Sequence, residues 1–278
     1  MERLKLNFYS EFEYDKEDVI KSNENVTVIK AFDTHLKRYV CIKKVHYDPK
    51  HYNVALNEVI AMQKYSEKTP YVPHVYFYTV DKKENNIYIV MEWIKGMTLT
   101  HKMSETLLLE NFVKYMIQLC DILMCFEKCN ESHKDIKPDN ILIDENNRVH
   151  LIDFNITYSL TNMVEGTAHY KAPEMSNNII KCVDRSKVDQ FSIGVMLYEF
   201  STRTLPKYMD KYSVNKRSLQ NREWSNFCEP KNLNPNISDD LNKIICTCMK
   251  LNPQERYRSL FQLKRDLERL RYGKRKSK

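Results

Sequence analysis

Two short polar segments of this 278-residue sequence carry the residue types that phosphoryl transfer needs. The first, HKDIKPDN, begins at residue 133, and the second, DFN, begins thirteen residues after the first ends. Phosphoryl transfer requires an oriented hydroxyl and a metal ion that neutralises charge, with little covalent help from the protein. Asp135 could orient the hydroxyl or accept its proton, and Lys137 could contact the γ-phosphate. Asn140 and Asp153 offer hard oxygen ligands for Mg²⁺, with Mn²⁺ as a second candidate.

The elements that must position these segments differ between the two parts of the chain. In the first ninety residues, NVTVIKAF, RYVCIKKV, VPHVYFYTV and NIYIVMEWI are rich in β-branched and aromatic residues, which predicts four strands. One helix is predicted among them, because the apolar residues of YNVALNEVIAMQKYSEK approximate a helical face. The sequence therefore predicts a small lobe built mainly of strands.

After Gly96 the apolar periodicity becomes helical. Helices are predicted in ETLLLENFVKYMIQLCDILMCFEKC, DQFSIGVMLYEFS, SDDLNKIICTCMKL and SLFQLKRDLERLRY, with two short strands, NILID and VHLIDF, near residue 145. The predicted fold class is α+β, with a sheet-rich lobe joined to a larger helical lobe at about residues 92–96. The predicted boundaries are an N-terminal extension over 1–11, the first lobe over 12–94, the second over 95–272 and a basic tail over 273–278.

Composition limits the setting in which the chain works. Its 44 Lys and Arg against 37 Asp and Glu give a net charge of +7, part of it in the tail RLRYGKRKSK. We interpret this tail as a flexible basic segment rather than a nucleic-acid site. The charged N-terminus does not resemble a signal peptide, and no apolar run reaches membrane-spanning length. A monomer that binds neither membrane nor a specific nucleic acid is expected.

The eight cysteines form no C-x-x-C pair and no evenly spaced framework. They are typical of reduced thiols in a cytoplasmic protein. Cys246 and Cys248 lack a second pair that would complete a zinc site, so we predict that they belong to a helix core. Cytoplasmic localisation follows, or the host cytoplasm if the protein is viral or is secreted without a recognisable signal.

The motifs together resemble the eukaryotic-type, or Hanks-type, protein kinase family over about residues 12–272. VCIKK resembles the family's V-A-I-K, which implies that Lys43 contacts the α- and β-phosphates of ATP and pairs with Glu58. IVMEWIKG resembles the hinge, which implies that Met91 is the gatekeeper and that the backbone of Glu92 and Ile94 binds adenine. Further nucleotide contacts are assigned to Ile20, Val28 and Cys41.

Later motifs complete the resemblance. GTAHYKAPE follows the family's pattern GTxxYxAPE at the end of the activation segment. The resemblance implies that Asp189 braces the catalytic loop and that Arg256 pairs with Glu174. Lys137 and Thr167 match the serine/threonine subclass, so the implied reaction is transfer of the γ-phosphate of Mg·ATP to Ser or Thr hydroxyls of a protein substrate. Small-molecule kinases of the choline and aminoglycoside type lack this activation segment and are a less favoured alternative.

The nucleotide lid departs from the family pattern. Lys21, Asn23 and Val26 occupy the three positions of G-x-G-x-x-G, and the stretch IKSNENVTVIKA contains no glycine. One interpretation is an ordinary hairpin, with phosphate binding left to Lys43, Asp153 and the metal ion. The other is a pseudokinase that binds nucleotide weakly and acts as a scaffold. The active kinase is favoured because all six polar residues of the chemistry are retained: Lys43, Glu58, Asp135, Lys137, Asn140 and Asp153.

Two further departures concern control of the activity. Asn155 replaces the glycine of D-F-G, a substitution that is tolerable because Asn accepts left-handed backbone angles. Lys134 replaces the arginine that grips a phosphorylated activation loop, and a lysine offers a point charge instead of a bidentate fork. Weak control by loop phosphorylation, and hence constitutive activity, is the prediction.

Overall fold

The computed structural model describes residues 1–7, 10–154, 157, 169–175, 187–207 and 227–273. The chain divides into two compact units, one formed by residues 1–96 and 150–159 and the other by residues 97–149 and 160–278. The first segment of the first unit ends at Gly96. Residues 150–154 and 157, the described part of the second segment of the first unit, belong there because Leu151 and Asp153 contact distant residues of that unit.

The first unit is built on one antiparallel sheet. Its seven strands are β1 (Glu2–Asn7), β2 (Ser10–Tyr14), β3 (Val19–Ser22), β4 (Val26–Asp33), β5 (Arg38–His46), β6 (Val75–Asp81) and β7 (Asn86–Glu92). The order is β1-β2-β4-β5-β7-β6, and β3 pairs with β4. A single turn of 3-10 helix spans Lys16–Asp18. The four strands predicted from the sequence correspond to β4 to β7.

The N-terminal residues extend this sheet, although residues 1–11 were predicted to be an extension outside the lobe. β1 pairs with β2, and β2 pairs with β4 opposite Phe32 and Asp33. Phe12 is buried in a core cluster against which Leu4 and Leu6 pack. The alternation of these leucines with charged residues in ERLKLN fits a strand with one covered face.

The predicted helix of the first unit is α1, which spans Pro49–Ser66. Its N-cap is Asp48, the residue before Pro49. The Asp48 side chain accepts a hydrogen bond from the His51 N–H, as is usual for an N-cap residue. Its buried residues lie on one face, where positions three or four apart are neighbours: Ala55, Glu58, Ala61, Met62, Tyr65 and Ser66. Because Glu58 lies on this face, its carboxylate is directed into the unit rather than into solvent.

The second unit is mainly helical. Its described helices are α2 (Leu99–Ser104), α3 (Leu109–Glu127), α4 (Val188–Thr202), α5 (Pro230–Leu233), α6 (Asp239–Cys248) and α7 (Leu260–Gly273). Turns of 3-10 helix span Pro138–Asn140, Pro173–Met175 and Pro253–Glu255. The short strands are β8 (Gly96–Thr98), β9 (Ile141–Asp144) and β10 (Val149–Leu151), of which β9 pairs with both others. Within the described ranges, no helix combines the length and the apolar character that crossing a membrane requires.

Helix α4 forms the centre of the second unit. Nearly all of its side chains are buried, including the charged residue Asp189. A Cβ atom at Gly194 would lie 2.6 Å from Cβ of Cys248, so only glycine permits this close approach of α4 and α6. Phe200 stacks on Phe112 of α3 with ring centroids 4.0 Å apart. These contacts give the second unit a packed base for the loops described below.

Candidate active site

Lys43 and Glu58 form a buried ion pair in the first unit. Lys43 lies on β5, opposite Val28 of β4 and Ile89 of β7. Its Nζ atom lies 2.8 Å from both carboxylate oxygens of Glu58 and 3.5 Å from Oδ1 of Asp153. The predicted pairing of Lys43 with Glu58 is therefore present, and it also includes Asp153.

This arrangement keeps Lys43 charged. Burial alone would lower the pKa of its ammonium group. The carboxylates of Asp153 and Glu58, which attract the ammonium and accept its hydrogen bonds, outweigh burial and raise the pKa above its ordinary value. The buried side chain of Lys43 therefore carries a positive charge at neutral pH.

Asp153 is held in an uncommon backbone conformation. Its φ angle is 65°, in the left-handed region that residues other than glycine seldom adopt. This conformation typically raises the free energy by about 1–3 kcal/mol. The fully buried Phe154 follows it, and the Phe154 backbone N–H donates to Glu58 of α1. Such strain persists only where surrounding contacts determine it, and it concentrates at functional sites. Asn155, the predicted substitute for glycine, lies outside the described residues.

In the second unit, Asp135, Lys137 and Asn140 come together in one loop. The ammonium of Lys137 lies 2.9 Å from Oδ2 of Asp135. Nδ2 of Asn140 donates to the backbone oxygen of Asp135 at 2.9 Å and to its Oδ2 at 2.8 Å. Asn140 ends the short helix that starts at Pro138, and its N–H donates to the Lys137 carbonyl. Its amide oxygen Oδ1 is the group that remains for a ligand.

Asp189 of α4 braces this loop, as the resemblance implies. Its Oδ2 accepts a hydrogen bond from the His133 N–H at 2.8 Å, and its Oδ1 accepts one from the Lys134 N–H at 2.9 Å. Lys134 has a φ of 71°, so this contact holds a second left-handed residue in place. Burial raises the pKa of Asp189 to about 6, against the opposing effect of the two backbone hydrogen bonds. The loop that carries Asp135 is thereby tied to the centre of the second unit.

The APE end of the activation segment is anchored by a buried ion pair. Arg256 contacts Glu174 with two parallel hydrogen bonds, of 2.5 and 2.8 Å, and a third goes from Arg256 to the Lys187 carbonyl. This is the predicted pairing of Arg256 with Glu174. Bidentate Arg–carboxylate pairs fix geometry as well as adding energy. Gly166 and Thr167, at the start of the motif, lie outside the described residues.

The residues assigned to adenine binding lie on neighbouring strands. Cys41 of β5 is opposite Met91 of β7, and both Met91 and Ile94 are buried. The Glu92 N–H donates to the His74 carbonyl at 2.8 Å. This backbone donor therefore already has an acceptor within the first unit. Burial raises the pKa of Cys41 to about 12, which keeps its thiol neutral. Ile20 of β3 is more than half exposed.

The lid turn between β3 and β4 is closed by the side chain of Asn23. Its Oδ1 accepts hydrogen bonds from the N–H groups of Asn25 at 3.0 Å and Val26 at 2.8 Å. The Asn23 N–H donates to the Val26 carbonyl, and no residue of the turn has a positive φ. The turn therefore needs no glycine, because an asparagine side chain can replace backbone contacts in this way. Sequence reasoning missed this cap, although the Asn at the start of NEN is a signal for it.

Comparison with known proteins agrees with these geometric findings. The protein kinase domain family matches residues 14–266. A probable serine/threonine-protein kinase of Clostridium acetobutylicum is 28% identical over 272 residues, which cover 93% of this chain and 40% of the relative. A probable serine/threonine-protein kinase of Clostridium perfringens is 33% identical over 194 residues, which cover 66% of this chain and 27% of the relative.

The serine/threonine-protein kinase PrkC of Bacillus subtilis is also similar. It is 26% identical over 259 residues, covering 90% of this chain and 39% of PrkC. The chain thus spans between 27% and 40% of the length of these three curated relatives.

Proposed function

The chain belongs to the protein kinase family, and we propose that it transfers the γ-phosphate of ATP to Ser or Thr hydroxyls of a protein substrate. The observation that carries this proposal is the contact of Lys43 with both oxygens of Glu58, with Asp153 at 3.5 Å. In this reaction class a lysine on a strand positions the nucleotide phosphates and depends on its ion pair with a helix glutamate. Here that ion pair is formed.

ATP binding is assigned to residues of the first unit. Lys43 would donate to the α- and β-phosphates, since its ammonium is charged and buried beside two carboxylates. Met91, Ile94, Val28 and Cys41 would cover the adenine, with Ile20 at the edge. These roles rest on the resemblance and on the positions of the residues in the sheet.

Magnesium binding is assigned to Asn140 and Asp153. Both offer only oxygen ligands, the donor set that Mg²⁺ and Mn²⁺ prefer. Nδ2 of Asn140 is turned toward Asp135, which leaves the amide oxygen for a cation. When bound, the ion would supply neutralisation of phosphate charge. The residues therefore fit the metal.

Asp135 and Lys137 are assigned to the acceptor side of the reaction. The carboxylate of Asp135 would orient the substrate hydroxyl and take its proton. Its Oδ2 is fixed by the ammonium of Lys137 and by the Asn140 amide, so the carboxylate is held in one orientation. Lys137 would also lie beside the phosphate that is transferred. A reducing compartment such as the cytoplasm is assigned from the scattered spacing of the eight cysteines in the sequence.

Two alternatives predict different outcomes. A pseudokinase scaffold is less favoured because Lys43, Asp135 and Asn140 keep their polar contacts. A small-molecule kinase is less favoured because the APE segment is anchored through Glu174.

The test is incubation of the chain with Mg²⁺ and ATP labelled at the γ-phosphate, with and without a generic acceptor protein. We expect label on Ser or Thr, and we expect Asp153→Ala to abolish it. Asp240→Ala, a change of an exposed aspartate on α6, is the matched control and should retain transfer. No transfer together with no rise in Tm on adding nucleotide would favour the scaffold. Transfer only to a sugar or an amine would favour the small-molecule kinase.

A further inference from the structure

An open cavity of about 610 Å³ lies in the first unit, between the turn that joins β4 to β5, the helix α1 and the first residues of β6. None of its lining residues is assigned to ATP, to Mg²⁺ or to the acceptor. Its volume falls within the range of about 300–1,000 Å³ that is typical of small-molecule sites. Such sites combine apolar walls with a few polar groups that orient the ligand, and this cavity has both.

One wall of the cavity is apolar. It is lined by Val75 and Phe77 of β6 and by Val90 of β7, which is opposite Phe77 in the sheet. Leu36 lines the cavity from the turn, although 64% of its surface is exposed. A ligand with an apolar group would cover part of this surface and remove it from water, which is favourable.

Arg38 brings a positive charge to the cavity. Its Cζ atom lies 3.6 Å from the centre of the Tyr76 ring, so the planar guanidinium is positioned over the ring. Nε is shielded from solvent and has no hydrogen-bond partner among the described residues. It lies 4.0 Å from Oδ2 of Asp33, which is beyond the length of a hydrogen bond. The side chain of Arg38 is 38% exposed, so a ligand can still reach it.

Asp33 brings a negative charge beside Arg38 and is held by the turn. Its Oδ1 accepts hydrogen bonds from the N–H groups of His35 at 3.0 Å and Leu36 at 2.9 Å. The N–H and the hydroxyl of Thr34 both donate to the Glu11 carbonyl, which ties the turn to β2. Because the backbone donors use Oδ1, Oδ2 of Asp33 remains for a donor from a ligand.

We propose that this cavity binds a free α-amino acid with an apolar side chain. Its carboxylate would accept hydrogen bonds from Arg38, its ammonium would donate to Asp33, and its side chain would pack on the apolar wall. An α-amino acid carries both charged groups on one carbon, which matches two protein charges that come within 4.0 Å of each other. A phosphate ester would face Asp33 with excess negative charge, and a simple amine would leave Arg38 without an acceptor.

The experiment is isothermal titration calorimetry of the wild-type chain with free leucine, methionine and phenylalanine. The amino acid that binds most tightly is then compared with its carboxamide, which lacks the negative charge, and with its deaminated acid, which lacks the positive charge. We expect the amino acid to bind about 10- to 100-fold more tightly than either analogue, as expected of a charged hydrogen bond. The amino acid should also raise the Tm of the chain.

Variants assign each charge to its partner. Arg38→Met should make the amino acid and its carboxamide bind equally. Asp33→Asn retains Oδ1 for the two backbone donors, and it should make the amino acid and its deaminated acid bind equally. Lys82→Met, an exposed change in the turn between β6 and β7, is the matched control and should leave all affinities unchanged.

Three results would overturn the inference. One is that none of the three amino acids binds up to its solubility limit. Another is equal affinity of the wild-type chain for the amino acid and its two analogues, and neither of these results needs a folded variant. The third is unchanged affinity in Arg38→Met, since this would place the binding elsewhere. Because the titration needs no ATP, these outcomes are independent of whether the chain transfers phosphate.

Discussion

At the residue scale, the side chain of Asn23 explains how the lid forms without glycine. Its Oδ1 binds the N–H groups of Asn25 and Val26, the backbone donors that a glycine-rich lid would direct to phosphate. The cap thus does two things, since it stabilises the turn and occupies these donors. Around this turn β3 and β4 pair as antiparallel strands.

Restoring glycine at Asn23 and Val26 should lower KM for ATP. Removing the Asn23 side chain frees the two N–H groups, and each new hydrogen bond to phosphate contributes about 0.5–1.5 kcal/mol, so a fall of about two- to tenfold is expected. Steady-state kinetics at saturating acceptor concentration measures it. Asn23→Asp is the matched variant, because its carboxylate retains the cap and adds a negative charge, and it should raise KM. An unchanged KM in the glycine variant would show that the lid backbone does not hold phosphate.

The polar residues of the site were largely predictable from their types and spacing. The contacts of Lys43 with Glu58, of Asp189 with the catalytic loop and of Arg256 with Glu174 agree with the resemblance. Asn23 was missed because its position was compared with glycine rather than examined for its own hydrogen bonds.

At the element scale, the strongly patterned strands and helices were predicted, whereas the N-terminal hairpin was not. β4 to β7 and α1 have long apolar patterns that identify them. β1 and β2 are short and carry many charges, and their place in the sheet depends on the packing of Phe12, Leu4 and Leu6. Residues 150–154 belong to the first unit because Asp153 contacts Lys43 and because the Leu151 N–H donates to the Tyr71 carbonyl. Such contacts between distant segments leave no local signal.

The contact between α4 and the catalytic loop predicts a dependence of stability on pH. The pKa of Asp189 rises from 3.8 to about 6 on folding, so the folded state binds the proton more tightly than the unfolded state. The contribution of this protonation to stability is fully present below about pH 3.8 and is lost as pH rises through about 6.

Asp189→Asn should remove this part of the pH dependence. Asparagine has no titrating group, but its single oxygen cannot accept from both His133 and Lys134 as the two carboxylate oxygens do. Urea unfolding between pH 4 and 7 measures the free energy of unfolding of both forms. We expect the wild type to lose its advantage over the variant as pH rises. A constant difference across this range would show that Asp189 has an ordinary pKa in the folded state.

At the scale of the whole molecule, each unit carries its own set of the groups assigned to the proposed reaction. The first unit contributes Lys43, Glu58 and Asp153, and the second contributes Asp135, Lys137 and Asn140. Each set is held by its own network of ion pairs and hydrogen bonds. Both sets are retained, and the backbone is left-handed at Lys134 and Asp153. Because such strained conformations concentrate at functional sites, these features favour an active kinase over a pseudokinase scaffold.

The most direct test of this account is the initial rate of phosphate transfer from ATP to Ser or Thr of an acceptor protein by the wild type and by Asp135→Asn. Asparagine keeps the shape of the side chain but cannot take the hydroxyl proton, so a fall of about 10²- to 10⁴-fold is expected. ATP binding, measured by calorimetry, should be unchanged. The account would be contradicted by equal rates in the two forms, or by a wild-type chain that binds ATP but produces no phosphoserine or phosphothreonine.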